Sequence, residues 1–522
     1  GILSFPFIFR DMLGENLIYV ALLLALIIFL LKNFILSFNL WYQTKFLRNL
    51  NFDITSRLFK YYLKKDYLFF INNNSAFLYR NLTSVITSTI DYINRYMIFL
   101  TESIVFIGIM IFLSYIDFLG TSIILLSVSI VASLVYFIFR KRIKFFANQR
   151  NIVGGDLNKH LLQGMASAKD VKILDREEEL ISQVGENLQK MTKLSHIVTF
   201  VNGLPRYIFE VFIVLMFIVL VILMLNVKRE LIDIIQYLGV FAVASFRIIP
   251  SVTRIVSSLQ MINFQEPSVN ILFKEFDLKK KASLNKNINM EKKNIPINFK
   301  NYINIKNLSF SFPSRKEFSL SKITLSVKKG EFIGIIGETG SGKSTLINLL
   351  TGLLKPSDGK IEVDGSDIHL NLKSWHEKIG YVPQSIYLTD DSIKKNIAFG
   401  LREDNINNNL INKAVENSKL NFFLKDLEDG VNTVVGEKGI KLSGGQQQRI
   451  GIARAIYHKP KFLIFDESSS ALDTETEKNL MREIKEYTKG RSLLIVSHRK
   501  TTLEHCDKIY LFKNGQLQEE LE

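Results

Sequence analysis

The chain has 522 residues, 47% of them hydrophobic, with mean hydropathy +0.15 and a formal net charge of +16 at pH 7. Such a length calls for several domains, and because the apolar residues crowd before about residue 265, the basic balance reads as Lys/Arg-rich loops beside anionic lipid, with no nucleic acid as partner. A single cysteine, Cys506, excludes an internal disulfide and any multi-cysteine zinc site and is expected as a small packed residue.

The sequence opens on Gly1 without a recognisable signal peptide. Five apolar segments, near 17–40, 97–116, 119–139, 207–225 and 231–249, reach or approach the roughly 20 helical residues that cross a hydrocarbon core. The long connections 41–96 and 140–206 carry Lys45, Arg48, Arg57, Lys60, Lys64, Lys65 and then Arg140, Lys141, Arg142, Lys144, Arg150, which places them in the cytoplasm. The short turns near 117–120 and 226–230 then lie on the other side, with Lys228 and Arg229 a minor violation. Apolar residues at helical spacing continue into the long connections, so membrane helices are expected to run on as rods that turn at Tyr67–Phe70 and at Ala166–Leu174. Those turns are candidate knobs against the second half of the chain; ordinary packing between rods is the alternative.

Charges inside apolar spans are costly and single out substrate candidates. Lys32 lies in the first span, where snorkelling is the plainer reading. Arg206 opens the fourth, with Glu210 one turn on as an intrahelical partner. Arg247 and Arg254 are seven apart; if the helix continues past Pro250 they share a face, and with no acidic residue within a turn of either they are expected as a cavity-facing cation pair. Glu102, in the second span, reads as an interhelical hydrogen-bond partner. From Phe273 to Lys300 the composition turns to Lys, Asn and Glu and is expected as a solvated linker.

Residues 301–522 carry the chemistry. Phe312 offers a flat ring for adenine, a core aromatic being the alternative. Gly337-Glu338-Thr339-Gly340-Ser341-Gly342-Lys343-Ser344-Thr345 fills every fixed position of G-x-x-x-x-G-K-[ST], between an apolar strand and an apolar helix. Its amides and the helix dipole suit phosphate, Lys343 suits the β/γ oxygens, and the Ser344 hydroxyl suits Mg²⁺. Gln384 follows a strand, where its oxygen completes Mg²⁺ coordination. In Leu442-Ser443-Gly444-Gly445-Gln446 the glycines again open a helix toward an anion. The strand Phe462–Phe465 ends in Asp466, suited to Mg²⁺, and Glu467, suited to a general base; His498, at another strand end, suits the γ-phosphate.

Taken in order, the phosphate loop, Gln384, LSGGQ, Asp466-Glu467, Asp473 and His498 resemble the ATP-binding cassette of ABC transporters, with LSGGQ the most specific part. The resemblance implies an ATPase whose two cassettes sandwich ATP head to tail. Residues 337–345 of one chain then face Ser443–Gln446 of another, Glu467 polarises the attacking water, and Asp473 lines the nucleotide site. One cassette without degenerate motifs favours a homodimer. Phe312 stands where the family more often has Tyr, and Ser468-Ser469 where Ala-Thr is commoner. The expected fold is multidomain: an all-α transmembrane domain of the ABC exporter type at 1–272, a linker at 273–300 and an α/β P-loop cassette at 301–522. Exporters of this kind have six spans against the five visible, so an upstream span is expected.

The membrane half is most similar to the PglK-like bacterial flippases of lipid-linked oligosaccharides, on Leu204–Glu210 and Phe246–Ile255, with Lys32 where that group has arginine and 5–13 as a short outer helix. The resemblance implies an anionic lipid pyrophosphate as cargo, held by Lys32, Arg206, Arg247 and Arg254, in a multi-pass protein of the bacterial inner membrane with its cassette in the cytoplasm. Other readings are a general lipid, glycolipid, drug or peptide exporter, a non-transporting ABC ATPase, and a gated channel.

Overall fold

The computed structural model describes residues 17–116, 118–226, 231–287, 296–313, 319–467, 482, 485 and 490–521, and the chain divides into two compact units. The first takes in the described residues to Lys65 and then Phe69–Asn287; the second takes in Asp66–Leu68 and the described residues from 296 onward.

In the first unit, α1 (Leu17–Leu63), α4 (Ile86–Ile116), α5 (Phe118–Ala166), α7 (Glu177–Asn226) and α8 (Leu231–Asn287) carry the five apolar segments, and all five are long and apolar enough to cross a membrane. Without water to bond the backbone, such runs close their N–H and C=O groups on themselves as helix. The 47 residues of α1 reach about 70 Å at 1.5 Å each, more than twice a roughly 30 Å core, so the helix runs on as a rod. The expected rod turns are helical too. Tyr67–Asn72 forms α2 and Ser75–Arg80 forms α3, N-capped by the Asn74 side chain accepting from the Ala76 N–H, before a π turn at Asn81–Val85 leads into α4. The second turn holds α6 (Ala168–Ile173).

Met110 and Leu113 of α4, Val128 and Val135 of α5, Phe209 of α7 and Ile248 of α8 form one buried core. Pro250 and Pro267 lie inside α8 without ending it, so Arg247 and Arg254 do share a helix. Two polar clamps join α4 to α8: the Gln265 amide donates to Asp91 Oδ2 at 3.0 Å, and Arg254 Nε sits 2.9 Å from Glu102 Oε1. Position 91 pairs with 265 and 102 with 254, so the helices run antiparallel with the clamps eleven residues apart on each.

Residues 273–287, expected as linker, instead continue α8. Leu272 and Phe276, one turn apart, pack with Leu58 of α1.

The second unit holds two sheets. An antiparallel sheet runs β2-β1-β4-β5, from β1 (Tyr302–Phe310), β2 (Leu320–Lys328), β4 (Asp358–Val363) and β5 (Ser366–Asp367). The larger sheet runs β10-β9-β3-β8-β7-β6, from β3 (Phe332–Gly337), β6 (Ile379–Val382), β7 (Phe462–Asp466), β8 (Ser492–Val496), β9 (Lys508–Lys513) and β10 (Gln516–Leu521), parallel except for β10. Every residue of β7 and β8 is buried, as continuous apolar strands covered on both faces should be. Parallel registry brings the ends of β3, β8, β7 and β6 to one edge, because Ile335 pairs Val496, Asp466 pairs Val496 and Val382 pairs Phe465. That edge, outside the carboxyl ends of the strands, is where α/β sheets bind ligands.

Cys506 packs beneath β3, where burial, with Asp507 beside it, pushes its thiol up to about 12. Since the thiolate is the nucleophile, maleimide labelling of the native protein at pH 7.5 is expected to run on the order of a thousandfold slower than after denaturation. Equal rates, read by mass spectrometry, would show the thiol to be accessible and ordinary.

Candidate functional site

The phosphate loop leaves β3 at Gly337 and enters α9 (Lys343–Leu350). Gly337 packs so closely that a Cβ would clash with the Phe512 carbonyl oxygen, and Gly342, with φ 109°, starts the helix from a left-handed conformation. The first turn of α9 leaves N–H groups without intrahelical partners, beside exposed Glu338, Thr339, Gly340 and Ser344. Ser341 Oγ is buried without a hydrogen-bond partner, an orphaned hydroxyl inside a loop otherwise suited to phosphate. Lys343 is only 5% exposed and donates from Nζ to the carbonyls of Gly337 and Glu338, each at 2.8 Å. Its burial lowers the ammonium pKa below the usual lysine range, opposed by the charges of Glu467 and Asp466.

Three side chains from three segments converge on the carboxylate of Glu467. His498 Nε2, just past β8, is 2.6 Å from Oε1; the Gln384 amide, just past β6, donates to Oε2 at 2.8 Å; Lys343 Nζ stands 3.8 Å from Oε1. Glu467 has φ 45°, a left-handed backbone that a non-glycine residue adopts at a cost of about 1–2 kcal/mol. That bend turns its side chain off the line of β7 toward these partners. Asp466 is buried, which raises its carboxyl pKa, and Oδ2 accepts from the Tyr381 hydroxyl at 3.3 Å. Burial and the Asp466 charge push the Tyr381 phenol up in turn. Tyr381 escaped the sequence reading; a lone hydroxyl near the end of the otherwise apolar β6 was its only signal.

Among the described residues no cluster of three or more His, Cys, Asp or Glu could cage a metal. The oxygens the sequence offers for a metal are the buried Asp466 carboxylate, the Gln384 amide oxygen just past β6 and the exposed Ser344 hydroxyl at the head of α9. Such an oxygen-only set suits Mg²⁺ arriving with phosphates rather than a metal held by protein alone.

Phe312 lies two residues past β1 with its ring edge-on to buried Phe310, at a centroid distance of 5.0 Å and 84°. Ser443 caps α10 (Gly444–Tyr457) with a full capping box, its hydroxyl accepting from Gln446 N–H and the Gln446 side chain accepting from Ser443 N–H. Among the described residues no hydrogen bond or ion pair joins Ser443–Gln446 to the Lys343 cluster within one chain. Asp473 lies outside the described residues, as do 5–13, Ser468 and Ser469.

The membrane candidates separate. Arg206 pairs with Glu210 at 2.9 Å in an exposed intrahelical bridge, and Lys32 lies 5.2 Å from the centre of the Phe29 ring on exposed α1. Arg254 corrects an expectation: it is not half of a free cation pair, because the adjoining helix supplies Glu102, 152 positions away in sequence and so beyond a search of its own helical turns. Arg247, two turns along the same helix, has no acidic partner among the described residues.

Removing the Lys343 ammonium (Lys343→Ala) takes charge-assisted bonds away from phosphate and its two carbonyl ties from the loop. ATP affinity is expected to fall roughly 30- to 100-fold, as for loss of about 2–3 kcal/mol. Equilibrium binding of a fluorescent ATP analogue checks it, and an unchanged Kd would remove Lys343 from the site.

Comparison with known proteins bears on both units. The model of the ABC transporter transmembrane region matches residues 7–247, and that of the ABC transporter family matches 320–470. A bacterial Atm1-family ABC exporter with ATP bound shares the fold with a TM-score of 0.72 at 21% identity, over 91% of this chain and 82% of that one. The ATP-dependent lipid A-core flippase of Pasteurella multocida (strain Pm70) is 36% identical over 223 residues, 42% of this chain and 38% of that protein. The leukotoxin translocation ATP-binding protein LktB of a Pasteurella haemolytica-like species is 40% identical over 219 residues, 42% of this chain and 31% of that protein. The chain thus spans well under half the length of these curated relatives. Their cargoes, a lipid and a toxin, do not point specifically to lipid-linked oligosaccharide. With both family models matching in this order on a helical unit and a cassette that hold the parts described, the chain carries a helical ABC transporter transmembrane region followed by one ABC transporter ATPase domain.

Proposed function

We propose that two copies of this chain form an ATP-driven flippase that carries an amphipathic anionic lipid, a polyprenyl pyrophosphate-linked oligosaccharide, across the bacterial inner membrane, with the cassettes in the cytoplasm. The observation that carries the ATPase part is the convergence of Lys343, Gln384 and His498 on Glu467. A γ-phosphate needs the same donors, and a carboxylate at that point is placed to take a proton from an attacking water. Bound Mg²⁺ neutralises and orients phosphate oxygens; Ser344, Gln384 and Asp466 are the residues suited to hold it. Phe312 supplies the adenine platform. Among the described residues no hydrogen bond or ion pair joins Ser443–Gln446 to the phosphate loop within one chain, which supports a site completed across a pair of copies.

For the cargo, the supporting observation is Arg247, a cation inside an apolar span with no acidic partner among the described residues. Charge there is costly unless a substrate answers it. Lys32, Arg206 and Arg254 are weaker candidates, the last two being already paired. A broader lipid or polypeptide exporter is the second reading, favoured by the relatives named for lipid A and leukotoxin.

Reconstitution into proteoliposomes with fluorescent lipid pyrophosphate oligosaccharide tests the proposal. ATP-dependent loss of dye from one leaflet supports it. Flipping of lipid A or a peptide but not of this lipid favours the second reading, and ATP hydrolysis without movement of any cargo removes transport.

A further inference from the structure

The fold draws Tyr381 into the nucleotide site, and the ATPase reading gives it no task. Parallel registry sets Tyr381 of β6 beside Ile464 of β7, two residues short of Asp466 and on the same face of the sheet. Two strand residues rise about 6.6 Å, a span that a phenol covers along the sheet and a serine or threonine hydroxyl does not. The ring packs against the apolar core, and the hydroxyl goes on to Asp466 Oδ2 at 3.3 Å.

Asp466 is 8% exposed, and Oδ2 has this one donor. Among the described residues nothing donates to Oδ1, and the Lys343 ammonium is turned to the carbonyls of Gly337 and Glu338. A carboxylate free to rotate offers a cation either oxygen, or both. With one oxygen held by a phenol, the other is offered alone and in a set plane. Such a presentation suits Mg²⁺, which demands near-ideal octahedral geometry and keeps several waters, better than Ca²⁺, which readily takes a carboxylate through both oxygens. At 3.3 Å the bond is long for a hydroxyl on a carboxylate, so it orients Asp466 without clamping it.

We propose that Tyr381 is a positioning residue: its hydroxyl holds Oδ2 of Asp466 so that Oδ1 alone faces the magnesium ion or a water on it, and the site thereby favours Mg²⁺ over Ca²⁺. The inference rests on the reading of Asp466 as a magnesium residue and adds what sets that carboxylate's orientation. The competing role is a core tyrosine whose hydroxyl takes the nearest acceptor.

Tyr381→Phe separates the two, because it keeps the ring and its packing and removes only the donor. With the full chain in detergent, the Kd of a fluorescent ATP analogue is measured in EDTA, in excess Mg²⁺ and in excess Ca²⁺. In EDTA the variant is expected to match the wild type within about twofold, since Lys343 and the loop amides meet phosphate without the metal. The tightening of binding by Mg²⁺ is expected to shrink about three- to tenfold, toward the low end for loss of a group that orients a metal ligand, and the tightening by Ca²⁺ to shrink less. In an Asp466→Asn background the same substitution is expected to change neither, because Tyr381 acts through that carboxylate. The proposal is overturned by equal weakening with and without metal, by an unchanged Mg²⁺ effect, by equal losses for the two ions, or by a full effect in the Asp466→Asn background. If Mg²⁺ tightens binding as well in Asp466→Asn as in the wild type, the magnesium reading of Asp466 fails and takes the proposal with it. If Asp466→Asn abolishes the Mg²⁺ effect while Tyr381→Phe leaves it whole, that reading stands and only the role of Tyr381 is lost.

Discussion

Glu467→Gln is expected to lower ATP hydrolysis by about 10²- to 10⁴-fold, the range for loss of a general base, while ATP binding persists. The substitution keeps size and leaves one oxygen, which can accept from either His498, now 2.6 Å from Oε1, or Gln384, now 2.8 Å from Oε2, but not from both. What it removes is the capacity to take a proton from water. Because the left-handed backbone at this position, φ 45°, is set by the bend after β7, glutamine inherits the same placement. Phosphate release under saturating ATP and equilibrium binding of a fluorescent analogue separate the two effects. Normal turnover would exclude Glu467 as base, and lost binding would assign it to holding the loop.

Arg254→Ala is expected to destabilise the membrane unit by about 2–3 kcal/mol, whereas Arg247→Ala changes stability by less than about 0.5 kcal/mol. The difference follows from Glu102, whose side chain is 12% exposed and whose Oε2 is buried with no hydrogen-bond partner. Deleting its arginine strands a carboxylate in an apolar seam, a loss that reaches 3–5 kcal/mol for a fully buried pair; Arg254 is 45% exposed, which moderates it. Glu102→Gln in the Arg254→Ala background is expected to recover more than half of the loss. Thermal unfolding in detergent reads all four proteins of this cycle. Equal effects of the two arginines would mean that the ion pair contributes nothing.

The cassette was legible in sequence because phosphate chemistry dictates local spacing: loop amides, one lysine and one hydroxyl must come from consecutive residues. Strand ends were legible for a related reason, since Gln384, Asp466, Glu467 and His498 each follow an apolar run that can only be a covered strand, and parallel registry brings such ends together. The long apolar helices followed from hydropathy. Pairings between distant segments did not follow. Tyr381 meets Asp466 across two strands and Glu102 meets Arg254 across two helices, and neither leaves a periodic trace. The end of α8 was misplaced because the Lys- and Asn-rich stretch to Asn287 carries no apolar stripe from which a helix could be read, although the helix runs through it.

The equal spacing of the two α4/α8 clamps has a mechanical consequence. Eleven residues is close to three full turns on either helix, so a slide by one turn would break the bonds at 91–265 and 102–254 together, with no intermediate setting that keeps one. The two helices are thereby keyed like a bolted strut, and force arriving at the Asp91–Gln265 end reaches the other end as rigid tilt rather than as sliding of one rod past the other.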